Sequence, residues 1–181
     1  MTQYDPKYDY IEKLEIGGGA NPRSGYVHLD LNPNVGTDIL ADASKPLPLK
    51  DGCVGELLAI NVIEHIEWYR VPKTLCEWGR IVKPGGIIKI HTNDINGIIP
   101  VITENDPNWN HNIGAQPFGG NEDKWAYINH FIMSTDAPYN MHRAVFTKPD
   151  MERLLRAAGF DNFTHLPCGP KMMYIQGVKR S

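Results

Sequence analysis

The sequence of 181 residues predicts a single α/β domain built on an open, mostly parallel sheet that closes with an antiparallel hairpin at its edge. Three observations carry this expectation. Short apolar runs alternate with breaker-rich loops through residues 13–60. Two stretches, 68–82 and 148–158, place apolar residues at helical spacing. The last two β-rich runs are separated by little more than Pro167-Cys168-Gly169-Pro170. The length suits one full core and is too short for two sizeable ones.

Taken in order, the first strand is expected at 13–16 and the second at 26–31, where Val27 and Leu29 alternate. Residues 17–25 lie between them and contain Asn21, Pro22 and Gly25, too short and too broken for the usual crossover helix, which should be shortened or absent. A third strand is expected at 38–41 and a fourth at 56–60, beyond the connector Lys45-Pro46-Leu47-Pro48-Leu49 and the turn Lys50-Asp51-Gly52. Within 68–82, Leu75, Trp78, Ile81 and Val82 share a helical face, and Lys83-Pro84-Gly85-Gly86 should stop the helix before a fifth strand at 87–91. From 93 to 143 the pattern loosens into Asn, Gly, Pro and aromatics, among them Trp109, Phe118, Trp125, Tyr127, Phe131 and Tyr139. So long an aperiodic stretch reads as a substrate-side insertion or lid on the domain formed by 1–181. Thr147 can cap the second helix, whose Met151, Leu154, Leu155 and Ala158 face inward. The runs 163–166 and 172–178 form the closing hairpin.

Composition narrows the function classes. Hydrophobic content of 41% and charged content of 22% exclude disordered and fibrous classes. A net charge of −3 disfavours nucleic acid as a partner, since any basic patch, for instance around Lys171, Lys179 and Arg180, must be local. No apolar run approaches the ~20 residues of a membrane span, and the first residues lack a basic, apolar leader, so the chain is expected in the cytoplasm without membrane association. Cys53, Cys76 and Cys168 are odd in number and widely spaced, and are read as free thiols.

The most informative stretch joins Leu14-Glu15-Ile16 to Gly17-Gly18-Gly19 and ends the next apolar run at Asp30. Consecutive glycines after a strand let backbone approach a ligand, and a carboxylate ending the following strand can accept hydrogen bonds from both hydroxyls of a ribose, a layout that suits an adenosine cofactor. Neither of the glycine-rich phosphate-binding patterns is present, because Asn21-Pro22-Arg23 stands where the third glycine or the lysine would be.

With Asp42-Ala43, Asn61-Val62-Ile63-Glu64-His65 and Arg80-Ile81-Val82-Lys83-Pro84-Gly85-Gly86, this layout resembles the class I S-adenosylmethionine-dependent methyltransferases in order and spacing. In particular it is similar to small members with a shortened first crossover, several of them associated with glycan modification. The resemblance implies a Rossmann-like, seven-stranded sheet and S-adenosylmethionine as cofactor, with S-adenosylhomocysteine as product. It implies that Gly17, Gly18 and Gly19 pass under the methionine and ribose, and that Asp30, followed by Leu31, binds the ribose hydroxyls. Asp42 and the Ala43 N–H would take the adenine, and Asn61 with Val62 would meet the ammonium region. Asp42 can equally be making an Asx-turn before Ser44.

Methyl transfer to a hydroxyl needs a base. The candidates are His65, Asp94 and His142, with His91 and His130 as further imidazoles; His28 and His165 read as packed or surface residues inside strands. The 2′-O-methyltransferases of small RNAs carry a similar Glu-His, which joins a later histidine to hold a divalent cation. Here the corresponding set would be Glu64, His65 and His142, with Asn61 where those enzymes carry another glutamate. His65 as an orienting or basic residue is preferred, because Glu-His is widespread at this point in methyltransferases that bind no metal. The expected function is O-methylation of a sugar, a glycan or another hydroxyl-rich small molecule. The alternatives are a metal-assisted methyltransferase of a nucleic-acid ribose or nucleotide sugar, and a non-catalytic module that binds the cofactor. A homo-oligomer is compatible with all three.

Overall fold

A computed structural model of the protein describes residues 6–103 and 142–181. Seven strands form one sheet in the order β3-β2-β1-β4-β5-β7-β6. They are β1 Ile11–Ile16, β2 Val27–Asp30, β3 Ile39–Leu40, β4 Val54–Ile60, β5 Val82–Asn93, β6 Phe160–His165 and β7 Met172–Lys179. The first five run parallel to one another, and β7 runs antiparallel to both β5 and β6. The expected hairpin is therefore present, with its second strand inserted in the sheet and its first forming the edge.

Strand alternation gives the sheet two unlike faces. Leu14, Ile16, Leu57, Ala59, Ile88, Ile90, Met173 and Ile175 are buried in one apolar cluster with Leu75, Trp78 and Ile81 of helix α1 (Val71–Ile81) and Met151 and Leu155 of helix α3 (Lys148–Ala157). The intervening positions carry Lys13, Glu15, Glu56 and Lys89, with Lys13 opposite Glu56 and both Glu15 and Lys89 opposite Leu58. Their charges are matched locally, with Lys89 Nζ 2.8 Å from Glu56 and the Tyr26 hydroxyl also donating to Glu56. Such alternation fixes register, since a slip by one residue would put the charges into the core.

No helix separates β1 from β2, as the breakers in 17–25 imply, and loops also link β2, β3 and β4. Glu15 anchors the first loop by accepting the Arg23 N–H at 2.7 Å. Two expectations need correction. Helix α1 stops at Ile81 because Val82 turns to extended geometry and pairs with Val54. Lys83-Pro84-Gly85-Gly86 thus belong to β5, which shifts register there, with Gly85 at φ +73°. A Cβ on Gly86 would lie 2.8 Å from the Gly55 carbonyl oxygen, so the glycine lets β5 close onto β4.

The second correction is helix α2 (Ile95–Thr103), in a stretch whose sequence shows no periodicity. Gly97 lowers intrinsic helix propensity, yet a Cβ there would sit 1.9 Å from the Pro170 carbonyl oxygen, so the backbone contact itself requires glycine. The remaining expected insertion, including His130 and the six aromatics, lies outside the described residues at 104–141. Helix α3 begins as expected, its Thr147 hydroxyl accepting the Asp150 N–H at 3.2 Å.

Candidate functional site

The carboxyl ends of β1, β2 and β4 open into a cavity of about 680 Å³, where ligands bind in open α/β sheets. Its wall contains Gly17, Gly19, Asp30, Leu31, Asp42, Ala43, Asn61 and Val62, together with His65. Gly18 lies just off the wall, over Glu15, where a Cβ would come 2.9 Å from Oε2.

Each wall element has a physical cause. Gly17 adopts φ +71°, donates its N–H to the Leu29 carbonyl at 2.8 Å, and leaves no room for a side chain: a Cβ would stand 2.5 Å from Val62 Cγ2. Asp30 accepts the Gly19 N–H at 3.0 Å through Oδ2 and the Asn32 N–H at 2.8 Å through Oδ1. One carboxylate thereby fixes both the glycine turn and the loop after β2, and each oxygen keeps acceptor capacity. Asp42 does make the Asx-turn: Oδ1 accepts the Ser44 N–H at 2.9 Å and the Ser44 hydroxyl at 2.7 Å, while Lys45 lies 3.0 Å from Oδ2. Burial alone would raise its pKa, but Ser44 and Lys45 outweigh burial and hold the carboxyl below its ordinary value. The adjacent Ala43 carbonyl accepts the Trp78 indole N–H at 3.1 Å, tying this turn to α1.

Beside the glycine turn, Asn61 takes φ +53°, and its Oδ1 lies 3.0 Å from His91 Nδ1. Burial, assisted by the Arg23 charge, holds the His91 pKa below its ordinary value. Beyond Asn61, the short turn Ile63–His65 brings three chemically active groups together. The His65 and His142 rings meet edge to face with centroids 4.8 Å apart, and ligand atoms of Glu64, His65 and His142 all lie within 4.8 Å of one another. Burial pushes the Glu64 carboxyl up to about 7, opposed by its backbone and by the Thr92 hydroxyl, which donates to Oε2 at 2.9 Å. Asn93 Nδ2 lies 3.2 Å from His142 Nδ1. The Arg143 and Ala144 N–H groups both donate to the Glu64 carbonyl, at 2.7 and 3.1 Å.

Residues 21–90 match the family model described as a methyltransferase domain. The matched segment resembles the class I S-adenosylmethionine-dependent methyltransferases. Solved structures agree in fold. A Thermotoga maritima S-adenosylmethionine-dependent methyltransferase, described as a possible histamine N-methyltransferase, superposes with a TM-score of 0.64 at 18% identity, covering 94% of this chain and 83% of that one. The CurJ carbon methyltransferase gives 0.62 at 14% identity over 98% of this chain and 50% of its own. The Haemonchus contortus phosphoethanolamine N-methyltransferase 2, solved with S-adenosyl-L-methionine, gives 0.62 at 12% identity over 98% of this chain and 50% of its own. The chain thus spans most of the first of these proteins and half the length of the other two. No curated protein matches it in sequence.

The fold brings His65, on the cavity wall, against His142, whereas Asp94 is absent from that wall. Buried Asp94 starts α2 by accepting the Asn96 N–H at 3.1 Å, and Lys148 Nζ lies 3.7 Å from its other oxygen. Sequence reasoning missed Glu67, Arg70 and Arg143, which also line the cavity. Glu67 and Arg143 meet across 76 residues of sequence, and no local pattern announces that meeting. Cys53 is buried and Cys76 and Cys168 exposed, all three as free thiols.

Proposed function

We propose that this protein transfers the methyl group of S-adenosylmethionine to a hydroxyl of a sugar, a glycan or another hydroxyl-rich small molecule. The observation that carries the reading is the pair of imidazoles, His65 on the cavity wall and His142 against it. A hydroxyl must lose a proton as it attacks, whereas an uncharged amine already presents its lone pair, so a base beside the cofactor is most useful to an oxygen acceptor. In the step, the acceptor oxygen forms a bond to the methyl carbon as the sulfur–methyl bond breaks. The sulfonium becomes the neutral thioether of S-adenosylhomocysteine, and the hydroxyl proton passes to an imidazole nitrogen of His65.

On this reading Gly17, Gly18 and Gly19 run beneath the methionine and ribose, and Asp30 accepts hydrogen bonds from the ribose hydroxyls. Asp42 shapes the turn that offers the Ala43 N–H to adenine, Leu31 and Val62 supply apolar contact, and Asn61 meets the ammonium region. Acceptor contacts fall to the segment 93–143 of a single domain. The hydrogen bond between Asn93 and His142, near its two ends, supports this by bringing both ends to the imidazole pair. Asp94 then serves the start of α2 while His65 and His142 serve the chemistry. The net charge of −3 supports a small acceptor over nucleic acid. Among the described residues no helix is long and apolar enough to cross a membrane, and we assign the protein to the cytoplasm.

The test is a radiolabelled-methyl screen against nucleotide sugars, free glycans and extract fractions. With an acceptor in hand, His65→Ala and His142→Ala should each lower turnover by about 10²-fold or more while sparing cofactor affinity. Full activity in both would reject the pair as the base.

One observation favours a second reading, metal-assisted transfer: the grouping of Glu64, His65 and His142. Two imidazoles and a carboxylate suit manganese, iron or zinc better than magnesium. Ligand bonds of about 2.1 Å need the widest spacing to close by at least about 0.6 Å, the smallest movement, with those two ligands on opposite sides of the ion. A cation held there would polarise the acceptor hydroxyl. Activity restored by manganese after chelation would favour this reading, and activity indifferent to chelator would reject it.

A further inference from the structure

Resting on the methyl-transfer reading, we infer that the acceptor carries an anionic group, a phosphate or a carboxylate, which docks between Arg70 and Arg143 at the mouth of the cavity. Both arginines line that cavity, together with Glu67. Glu67 is shared between them: Arg143 Nη1 donates to Oε1 at 2.7 Å, while Arg70 Nε stands 3.7 Å from Oε2, beyond hydrogen-bond range. Two guanidiniums therefore face one carboxylate, leaving a local charge of +1 on the wall of a protein whose net charge is −3.

The donors are as unbalanced as the charges. Among the described residues, the Arg143 guanidinium makes the single hydrogen bond to Glu67 and the Arg70 guanidinium makes none. Each fork keeps N–H groups disposed to grip two oxygens of one planar or tetrahedral anion, a geometry that lysine could not supply. The side chains are 44% exposed for Arg70 and 36% for Arg143, open enough to receive a ligand and sheltered enough to be screened less than bulk charges.

The cavity is divided by sign. Asp30 and Asp42 stand on the β2 and β3 side, whereas Arg70 and Arg143 stand with His65 on the β4 side. The Arg143 and Ala144 N–H groups bond to the Glu64 carbonyl, which sets this cationic wall beside the imidazole pair. An anion gripped there would anchor a hydroxyl-bearing molecule within reach of the base. A sugar phosphate, a nucleotide sugar or a uronic acid has this chemistry, and a neutral glycan lacks it. The rival occupant is the methionine carboxylate of the cofactor.

The experiment titrates pyrophosphate, and separately malonate, by calorimetry into the full chain saturated with S-adenosylhomocysteine, using wild type, Arg70→Gln and Arg143→Gln. Pyrophosphate or malonate should bind wild type and lose at least tenfold in affinity in each variant, while S-adenosylhomocysteine affinity changes by less than threefold. Preference for pyrophosphate assigns a phosphorylated acceptor, and preference for malonate a carboxylated one. If neither anion binds wild type, or if the variants bind it equally well, the inference is overturned. It is also overturned if S-adenosylhomocysteine affinity itself drops tenfold in the variants, because the arginines then hold the cofactor. Wild type that fails to bind S-adenosylhomocysteine sinks the underlying reading and this inference with it.

Discussion

Asp30 concentrates more of the site than any other side chain, because one carboxylate holds the Gly19 and Asn32 N–H groups and still faces the cavity. Asp30→Ala should weaken S-adenosylmethionine binding by about 2 kcal/mol or more, roughly thirtyfold, since charge-assisted hydrogen bonds to two hydroxyls are lost along with the anchor of the turn. Calorimetric titration checks it, and unchanged affinity would contradict the ribose role. Glu64 behaves differently. Its carboxyl is buried at 1% exposure and pushed up to about 7 from 4.5, so ionising it costs the folded state. That cost is absent below about pH 4.5, grows as pH rises, and is complete above about 7, where it reaches about 3 kcal/mol. In metal-free buffer, Glu64→Gln should therefore match wild type in stability near pH 4.5 and gain on it by pH 8. Denaturant titrations at the two pH values decide this, and a variant that loses ground as pH rises would show the carboxylate to be paired. The glycine triplet and Asp30 were legible in the sequence because each answers a local backbone demand. Arg70, Glu67 and Arg143 were not, since their partnership exists only after folding.

Helix α1 links core to site. Trp78 is fully buried among the sheet's apolar residues and spends its indole N–H on the carbonyl of Ala43, in the turn that lines the cavity. Its spacing with Leu75 and Ile81 made the helix legible, and Thr147 did the same for α3 through its cap. Trp78→Phe keeps an aromatic ring but leaves the Ala43 carbonyl without this donor and a small void behind it. The expected loss is about 2 kcal/mol of stability with a severalfold weaker affinity for S-adenosylmethionine. Thermal unfolding and cofactor titration read the two effects separately. A stability loss with intact affinity would mean that the turn holds its shape without α1. Helix α2 and the early end of α1 escaped the sequence for one reason. Gly97 faces the Pro170 carbonyl and Val82 pairs with Val54, so backbone contacts between distant segments override local propensity.

Across the whole molecule, the strand order depends on partners remote in sequence, which is why the hairpin could be expected and its insertion could not. β7 lies between β6 and β5, and β5 in turn pairs with β4, whose carboxyl end carries Asn61 and the imidazole turn. Ile175 sits at the centre of this bridge, fully buried, opposite Ile90 on one side and His165 on the other. Because the core is one continuous apolar cluster reaching from Ile39 beside β2 to Phe160 at the far edge, a defect in β7 has no boundary at which to stop. Ile175→Ala should cost about 2–5 kcal/mol. The loss should appear as a single shifted transition, with circular dichroism, tryptophan fluorescence and loss of cofactor binding coinciding in denaturant. An early transition confined to one probe, with cofactor still bound above it, would show that the β1–β4 half stands without the hairpin, and the cavity would then belong to a smaller unit than the seven-stranded sheet.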